Sequence, residues 1–237
     1  MTTPQWETFD SLETLNQSVL QAFIDLAEST IAARGVFRVS LSGGSTPKKL
    51  YESLAKQSLD WSRIEWFWGD ERNVPHDHAD SNYRMVREAL LGPAGIPTSN
   101  VFPVPVQTDD PHKAALAYES MMRSRFDAAT PFPVWDLVLL GMGDDAHTAS
   151  LFPETKAIDE HQRWFVENWV EKFNAFRYTL TAPAINSGRE IWFLIAGANK
   201  RESLRKVRTG PHHPALYPSQ LIQPTRWYVT KDACDAV

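Results

Sequence analysis

The segment GMGDDAHTAS, Gly141 to Ser150, places a histidine, two aspartates and two glycines directly after the apolar run LVLL. His147 is the side chain there that titrates near neutral pH. Asp145, two residues before it, is close enough in sequence to orient the imidazole or to stabilise an imidazolium formed during proton transfer. The spacing predicts a helix starting at His147, whose positive end would favour the neutral imidazole and keep it available as a base. The backbone amides of Gly141 to Asp145 are candidate donors to a developing oxyanion. Base, orienter and donors in one turn suit acid–base chemistry at a carbonyl. The same residues also suit a plain helix start with an aspartate as its cap. No Gly-x-Ser-x-Gly elbow occurs, so a serine nucleophile is poorly supported.

Three further clusters carry polar chemistry. In SGGSTPKKL, Gly43, Gly44, Ser45 and Thr46 precede a helix that Pro47 can open at its first position. Backbone N–H groups and hydroxyls at a helix N-terminus form an anion cradle, with phosphate the natural guest, although a capped strand-to-helix turn reads equally well. The loop is neither a Walker A loop nor G-x-G-x-x-G. WFWGDERNVP ends on Asp70, Glu71 and Arg72, fit either for a polar sugar or for an internal ion-pair network. FLIAGANKRESL sets Lys200 in a first helical turn, where a cation opposes the helix dipole and so points to a ligand. Arg177, opening RYTLTAP, is a further candidate cation. His76 and His78 are two apart in a proline-flanked loop without a set of further ligands, so no metal site is expected.

The elements that must position these residues follow from the hydrophobic pattern. Ser11 to Arg34 reads as one long amphipathic helix, capped by Ser11 and ended by Gly35. Val36–Gly44, RIEWFWGDER, WDLVLLGMG, FRYTLTA, EIWFLIAG and RWYVT read as strands; PKKLYESLA, SNYRMVREALL, PHKAALAYESMMRSRF and NKRESLRKV read as helices. Near-continuous apolar strands alternating with helices imply an α/β fold, with a mostly parallel sheet covered by helices on both faces. Four strands end in the polar clusters above, where open α/β sheets bind ligands. The proline-rich stretches GPAGIPTSNVFPVPVQTDDP and TGPHHPALYP read as surface connections, and residues 1–237 as a single domain.

Composition narrows the function classes. A chain of 237 residues with 43% hydrophobic residues can bury a sizeable core without disulfides. The net charge of -5 disfavours non-specific attraction to nucleic acid or acidic membranes, so an anionic ligand needs a locally basic pocket. The single cysteine, Cys234, suits a reducing compartment and hence a cytoplasmic location. Neither a basic, apolar leader nor an apolar run of membrane-spanning length is present.

The strand-end motifs, in this order, resemble the 6-phosphogluconolactonase family. The resemblance rests on SLSGGSTPKKLY, WFWGDERNVPHDHADSNYRM, DLVLLGMGDDAHTASLFP, RYTLTAPAIN and FLIAGANKRESL, and covers about Ser40 to Ser219. It implies a Rossmann-like fold and hydrolysis of a phosphorylated sugar lactone, 6-phospho-D-glucono-1,5-lactone, without metal or organic cofactor, by a monomer or weak homo-oligomer. It further implies that His147 activates water with Asp145 beside it. Gly43, Gly44, Ser45, Thr46, Asp70, Arg72, Arg177 and Lys200 would bind substrate, chiefly its phosphate. The family usually has glycine where this chain has Ala146, so a positive φ there would cost about 1 kcal/mol. Two alternatives are a glucosamine-6-phosphate deaminase and a non-catalytic sugar-phosphate sensor. The first lacks the expected glutamate, because Phe152 holds that position, and the second lacks room for a DNA-binding domain ahead of the first strand.

Overall fold

Strands whose residues are nearly all apolar have to be covered on both faces, and five strands here are buried almost end to end. The computed structural model describes residues 3–234. In chain order it runs β1 (Gln5–Phe9), α1 (Leu12–Arg34), β2 (Phe37–Leu41), α2 (Ser45–Leu54), β3 (Ile64–Trp68), β4 (Asp70–Arg72), α3 (Asn82–Val86) and β5 (Val101–Phe102). It continues with α4 (Pro111–Arg123), β6 (Leu137–Leu140), β7 (Phe165–Val170), β8 (Ala175–Leu180), α5 (Ala182–Asn186), β9 (Ile191–Ile195), α6 (Arg201–Thr209) and β10 (Arg226–Thr230). Seven strands form a sheet in the order β1-β10-β9-β6-β2-β3-β5, and each pairing within it is parallel. From β2 the chain builds outward through β3 to β5, then returns to the other side of β2 with β6. That reversal opens a crevice beyond the carboxyl ends of β2 and β6.

The cap of α1 is as expected: Ser11 Oγ accepts from the Thr14 amide, Thr14 Oγ1 reaches back to the Ser11 amide, and Gly35 closes the helix at φ 79°. α2 differs in register. It begins at Ser45, so Pro47 occupies the third helical position rather than the first; a missing N–H costs nothing there, because the amides of a first turn have no intrahelical acceptor. The helix expected over SNYRMVREALL forms as α3, continued by a wider π turn over Arg87–Leu91.

The larger correction is a second sheet. FRYTLTA and the end of RIEWFWGDER do not join the parallel sheet; β4, β8 and β7 form a separate antiparallel sheet. Gly69 is the joint between the two. Its amide still donates to Leu41 of the parallel sheet, while its carbonyl accepts from Leu180 of β8. Sequence periodicity did not reveal β1, β5 or β7. β1 is a partly exposed edge strand, β5 lies inside a proline-rich connection, and β7 and β8 form a hairpin turned by Asn174 in the left-handed region at φ 46°.

Candidate active site

The carboxyl ends of β2, β3, β6 and β9 surround one cleft of about 220 Å³, lined by Gly43 to Thr46, Asp70, Arg72, Gly141 to Gly143, His147 and Lys200. All four clusters singled out in the sequence therefore meet in one place.

The first wall is built from backbone. Gly44 precedes α2 at φ 106°, a conformation side chains rarely adopt, and no side chain caps the helix. The amides of Ser45 and Thr46 are left for a ligand, with the hydroxyls beside them. Tyr51 fixes the loop from beneath, its hydroxyl donating to the Ser42 carbonyl at 2.8 Å and accepting from the Ser42 amide at 3.1 Å.

The second wall descends from β4. Asp70 is 8% exposed, and its Oδ2 accepts from Ser150 Oγ at 2.9 Å, joining β4 to the loop that carries His147. Glu71 is structural: it accepts from the amides of Arg72, Asn82 and Tyr83 and from Ser81 Oγ, pinning the start of α3. Burial raises its carboxyl even against those backbone donors. Arg72 donates to the Asp80 carbonyl at 2.5 Å. Arg177 does not line the cleft. It sits across from Arg72 in the β4–β8 pairing with its guanidinium 5.0 Å from the Phe173 ring, and burial together with the Arg72 charge lowers its pKa. Two facing guanidiniums create a site that an anion would relieve. On the opposite side Lys200, at the turn into α6, has no carboxylate partner among the described residues. The cleft is thus locally basic in an acidic chain.

The third wall holds His147. The expected helix start is absent: Gly141 to Thr155 is an irregular loop, so no helix dipole acts on the imidazole. The cause is backbone conformation, since Ala146 (φ 63°), Ala149 (φ 48°) and Glu154 (φ 57°) each interrupt any right-handed run. His147 is set by side chains instead. Its Nδ1 lies 2.5 Å from Asp145 Oδ1, and its amide donates to the same oxygen at 3.3 Å. Phe152 stacks on the ring at 4.0 Å between centroids. A carboxylate at Nδ1 places the proton there and leaves Nε2 as the basic nitrogen. Gly143 allows this packing, because a methyl on its Cα would collide with the His147 imidazole and the Asp145 carboxylate. The Gly143 amide, expected as an oxyanion donor, is committed within the loop to the His147 carbonyl at 2.8 Å.

Two contacts of this loop were not visible from its own residues. Lys172, at the β7–β8 turn, places Nζ 2.9 Å from Asp145 Oδ2. Ser219, in the connection TGPHHPALYPS, donates to the Ala146 carbonyl through its amide at 3.0 Å and its hydroxyl at 2.8 Å. Burial alone would raise the Asp145 carboxyl, but the hydrogen bond and charge of His147, followed by the Lys172 hydrogen bond, outweigh it and hold the carboxyl well below the usual carboxylate range. The HDH loop is not part of the site: His76 Nε2 meets the Val104 carbonyl at 2.8 Å and its ring packs on Tyr83. Among the described residues no group of three or more His, Cys, Asp or Glu is placed to hold a metal, and no helix is long and apolar enough to cross a membrane.

Known proteins resemble this chain in sequence and in fold. The sequence profile of the family described as Glucosamine-6-phosphate isomerases/6-phosphogluconolactonase matches residues 10–231. A 6-phosphogluconolactonase of Synechocystis is 42% identical over 93% of this chain and 92% of its own length, and one of Nostoc is 44% identical over 86% and 85%. The solved 6-phosphogluconolactonase of Trypanosoma brucei superposes with a TM-score of 0.88 at 27% identity over 98% of both chains. That of Thermotoga maritima gives 0.83 at 29% identity, over 97% of this chain and 100% of the other.

Proposed function

The chain belongs to the glucosamine-6-phosphate isomerase/6-phosphogluconolactonase family, and from that premise we propose that it hydrolyses 6-phospho-D-glucono-1,5-lactone to 6-phosphogluconate. The observation that carries this reading is a histidine tied through Nδ1 to a carboxylate, with Nε2 unpartnered among the described residues, in a cleft whose other walls offer cations and an open helix N-terminus. Within the family a deaminase is disfavoured, because the ring resting on His147 belongs to Phe152 and not to an acid.

Lactone hydrolysis needs an activated water, a home for the charge on the carbonyl oxygen and a proton for the departing ring oxygen. His147 Nε2 takes a proton from water as it attacks C1 and returns it to the ring oxygen as the ester opens. Asp145 holds the ring and offsets the imidazolium charge between these transfers. The phosphate rests on the Ser45 and Thr46 amides with Lys200 and Arg72, and Arg177 adds its charge from behind Arg72. Binding energy from this remote group orients C1 against the base.

The test is the loss of freshly generated lactone with and without purified protein, corrected for spontaneous hydrolysis. His147→Ala is expected to lower kcat by roughly 10²–10⁴ with little change in KM. Lys200→Ala is expected to raise KM by about 10–100-fold, the worth of a charge-assisted hydrogen bond, with a smaller change in kcat. Near-wild-type turnover by His147→Ala would remove this mechanism.

A further inference from the structure

Lys172 lies outside the cleft, on the hairpin that joins β7 to β8, yet it is the cation nearest to the His147 couple. Its Nζ is 2.9 Å from Asp145 Oδ2 and 3.9 Å from Asp144 Oδ1. Asp145 is therefore held at both oxygens, Oδ1 by His147 and Oδ2 by Lys172. A carboxylate bound at one oxygen can rotate about its Cβ–Cγ bond and swing its other oxygen toward the imidazole; one bound at both cannot.

The hairpin also reaches the couple by a second route. Phe173, next to Lys172 and 44% exposed, packs edge-on against Phe152 at 5.5 Å, and Phe152 stacks on His147. Lys172 Nζ and the Arg177 guanidinium stand 5.6 and 5.0 Å from the Phe173 ring. The hairpin turn is shaped by Asn174 in the left-handed region, which sets where Lys172 and Phe173 emerge. One exposed turn thus contacts the base through a ring stack and its carboxylate partner through an ion pair.

We infer that Lys172 is a positioning residue for the reaction: by holding Asp145 Oδ2, it keeps Oδ1 on His147 Nδ1 and draws off part of the negative charge that would otherwise bear on the imidazole. The inference rests on the lactonase reading for its kinetic consequence, but its electrostatic consequence is measurable in the free protein. The charged groups facing Asp145 are His147 and Lys172, with Asp144 reaching Lys172 from the same loop, and those lining the cleft with His147 are Asp70, Arg72 and Lys200. Glu154, Lys156, Glu167 and Glu171 line the cavity into which the Asp145 carboxyl also opens. With Lys172 removed, the undivided charge of Asp145 stabilises the imidazolium more strongly, so His147 must protonate at higher pH.

The experiment compares wild type, Lys172→Met and Lys172→Arg by NMR titration of the His147 ring and by the pH profile of lactone hydrolysis. Lys172→Met keeps the length of the side chain and removes its charge. The expected result is an upward move of the His147 midpoint and of the acid limb of kcat/KM, with kcat down about threefold to fivefold, as suits a partly exposed pair, KM unchanged, and both readouts restored in Lys172→Arg. In an Asp145→Asn background the Lys172→Met effect should vanish. An unmoved His147 midpoint, or the same loss with and without Asp145, would overturn the inference. If wild type itself lacks lactonase activity, the proposed reaction fails, while the titration still decides the role of Lys172.

Discussion

The two sides of the cleft are made in opposite ways. The loop from Gly43 to Thr46 is backbone work: a glycine in a conformation closed to other residues, an uncapped helix and a tyrosine holding the loop from below. The loop from Gly141 to Thr155 is side-chain work, with no regular structure of its own, and is held by Asp70, Lys172 and Ser219 from three distant parts of the chain. An anion needs several fixed dipoles, which a helix end provides without further support. A general base needs one nitrogen at one angle, which an irregular loop provides only when it is braced.

A pair of matched substitutions makes that contrast measurable. Gly143→Ala is expected to have the larger effect of the two, because the added methyl would occupy the place of the His147 ring and the Asp145 carboxylate. The backbone at Gly143 does not require glycine, so the fold should persist while kcat falls by about 10²-fold or more, the usual consequence of misplacing a catalytic group by an ångström. Gly44→Ala should behave in the reverse manner. Its Cβ would meet nothing closer than Pro47 Cδ at 3.8 Å, but φ is 106°, so the cost is backbone strain of about 1–3 kcal/mol. That should appear as a lower Tm and a raised KM rather than a lost kcat. Steady-state kinetics and thermal melts on the two variants would show whether the walls are separable; equal kcat losses would show that they are not.

The same contrast explains what could be read in advance. The Gly43–Thr46 loop was legible because its determinants are neighbours: alternating β-branched residues, paired glycines, hydroxyls and a helix signal. The ends of α1 were legible for the same reason, since Ser11, Thr14 and Gly35 are local signals. For the loop from Gly141 to Thr155 the sequence pattern brought Asp145 and His147 together but implied the wrong conformation. Asp145 and His147 do pair, but as an irregular turn: the resemblance points to a positive φ at Ala146, whereas Ala149 and Glu154, also at positive φ, carry no such signal. Lys172 and Ser219 reach that loop across separations of 27 and 73 residues, which no periodicity encodes. β7 belongs to the same class: it is defined by its pairing with β8, and its run FVENWV carries two polar residues that break the strand pattern.

Acid stability distinguishes the walls at smaller scale. Asp145 has a folded-state pKa depressed below its ordinary 3.8, so it contributes stability that is fully present above that value and is lost as pH falls through the folded value. Asp145→Asn should therefore cost about 1 kcal/mol near pH 6, after allowing for the exposure of Lys172, and the gap to wild type should begin to narrow as pH falls below 3.8 and close only as the folded-state carboxyl itself protonates. Denaturant melts at pH 6, 4 and 2.5 would measure it; a gap that stays constant with pH would mean that Asp145 stabilises by packing and not by charge.

The smallest expected effect concerns Ala146, where the resemblance implies a glycine. Ala146 adopts φ 63°, which costs an alanine about 1 kcal/mol relative to glycine. The conformation is imposed by its surroundings. Ser219 binds its carbonyl twice, its amide donates to the Gly143 carbonyl, and Gly143 in turn binds the His147 carbonyl. Ala146→Gly would relieve the strain but would also enlarge the unfolded ensemble and give up a methyl that is 1% exposed. Each of those losses is worth about 0.4–1 kcal/mol. The terms nearly cancel, so Tm should move by no more than about 2–4 °C and kcat should stay within about threefold of wild type. A tenfold gain in kcat would mean instead that the alanine displaces His147 and that the brace formed by Lys172, Phe152 and Ser219 does not hold the base in register.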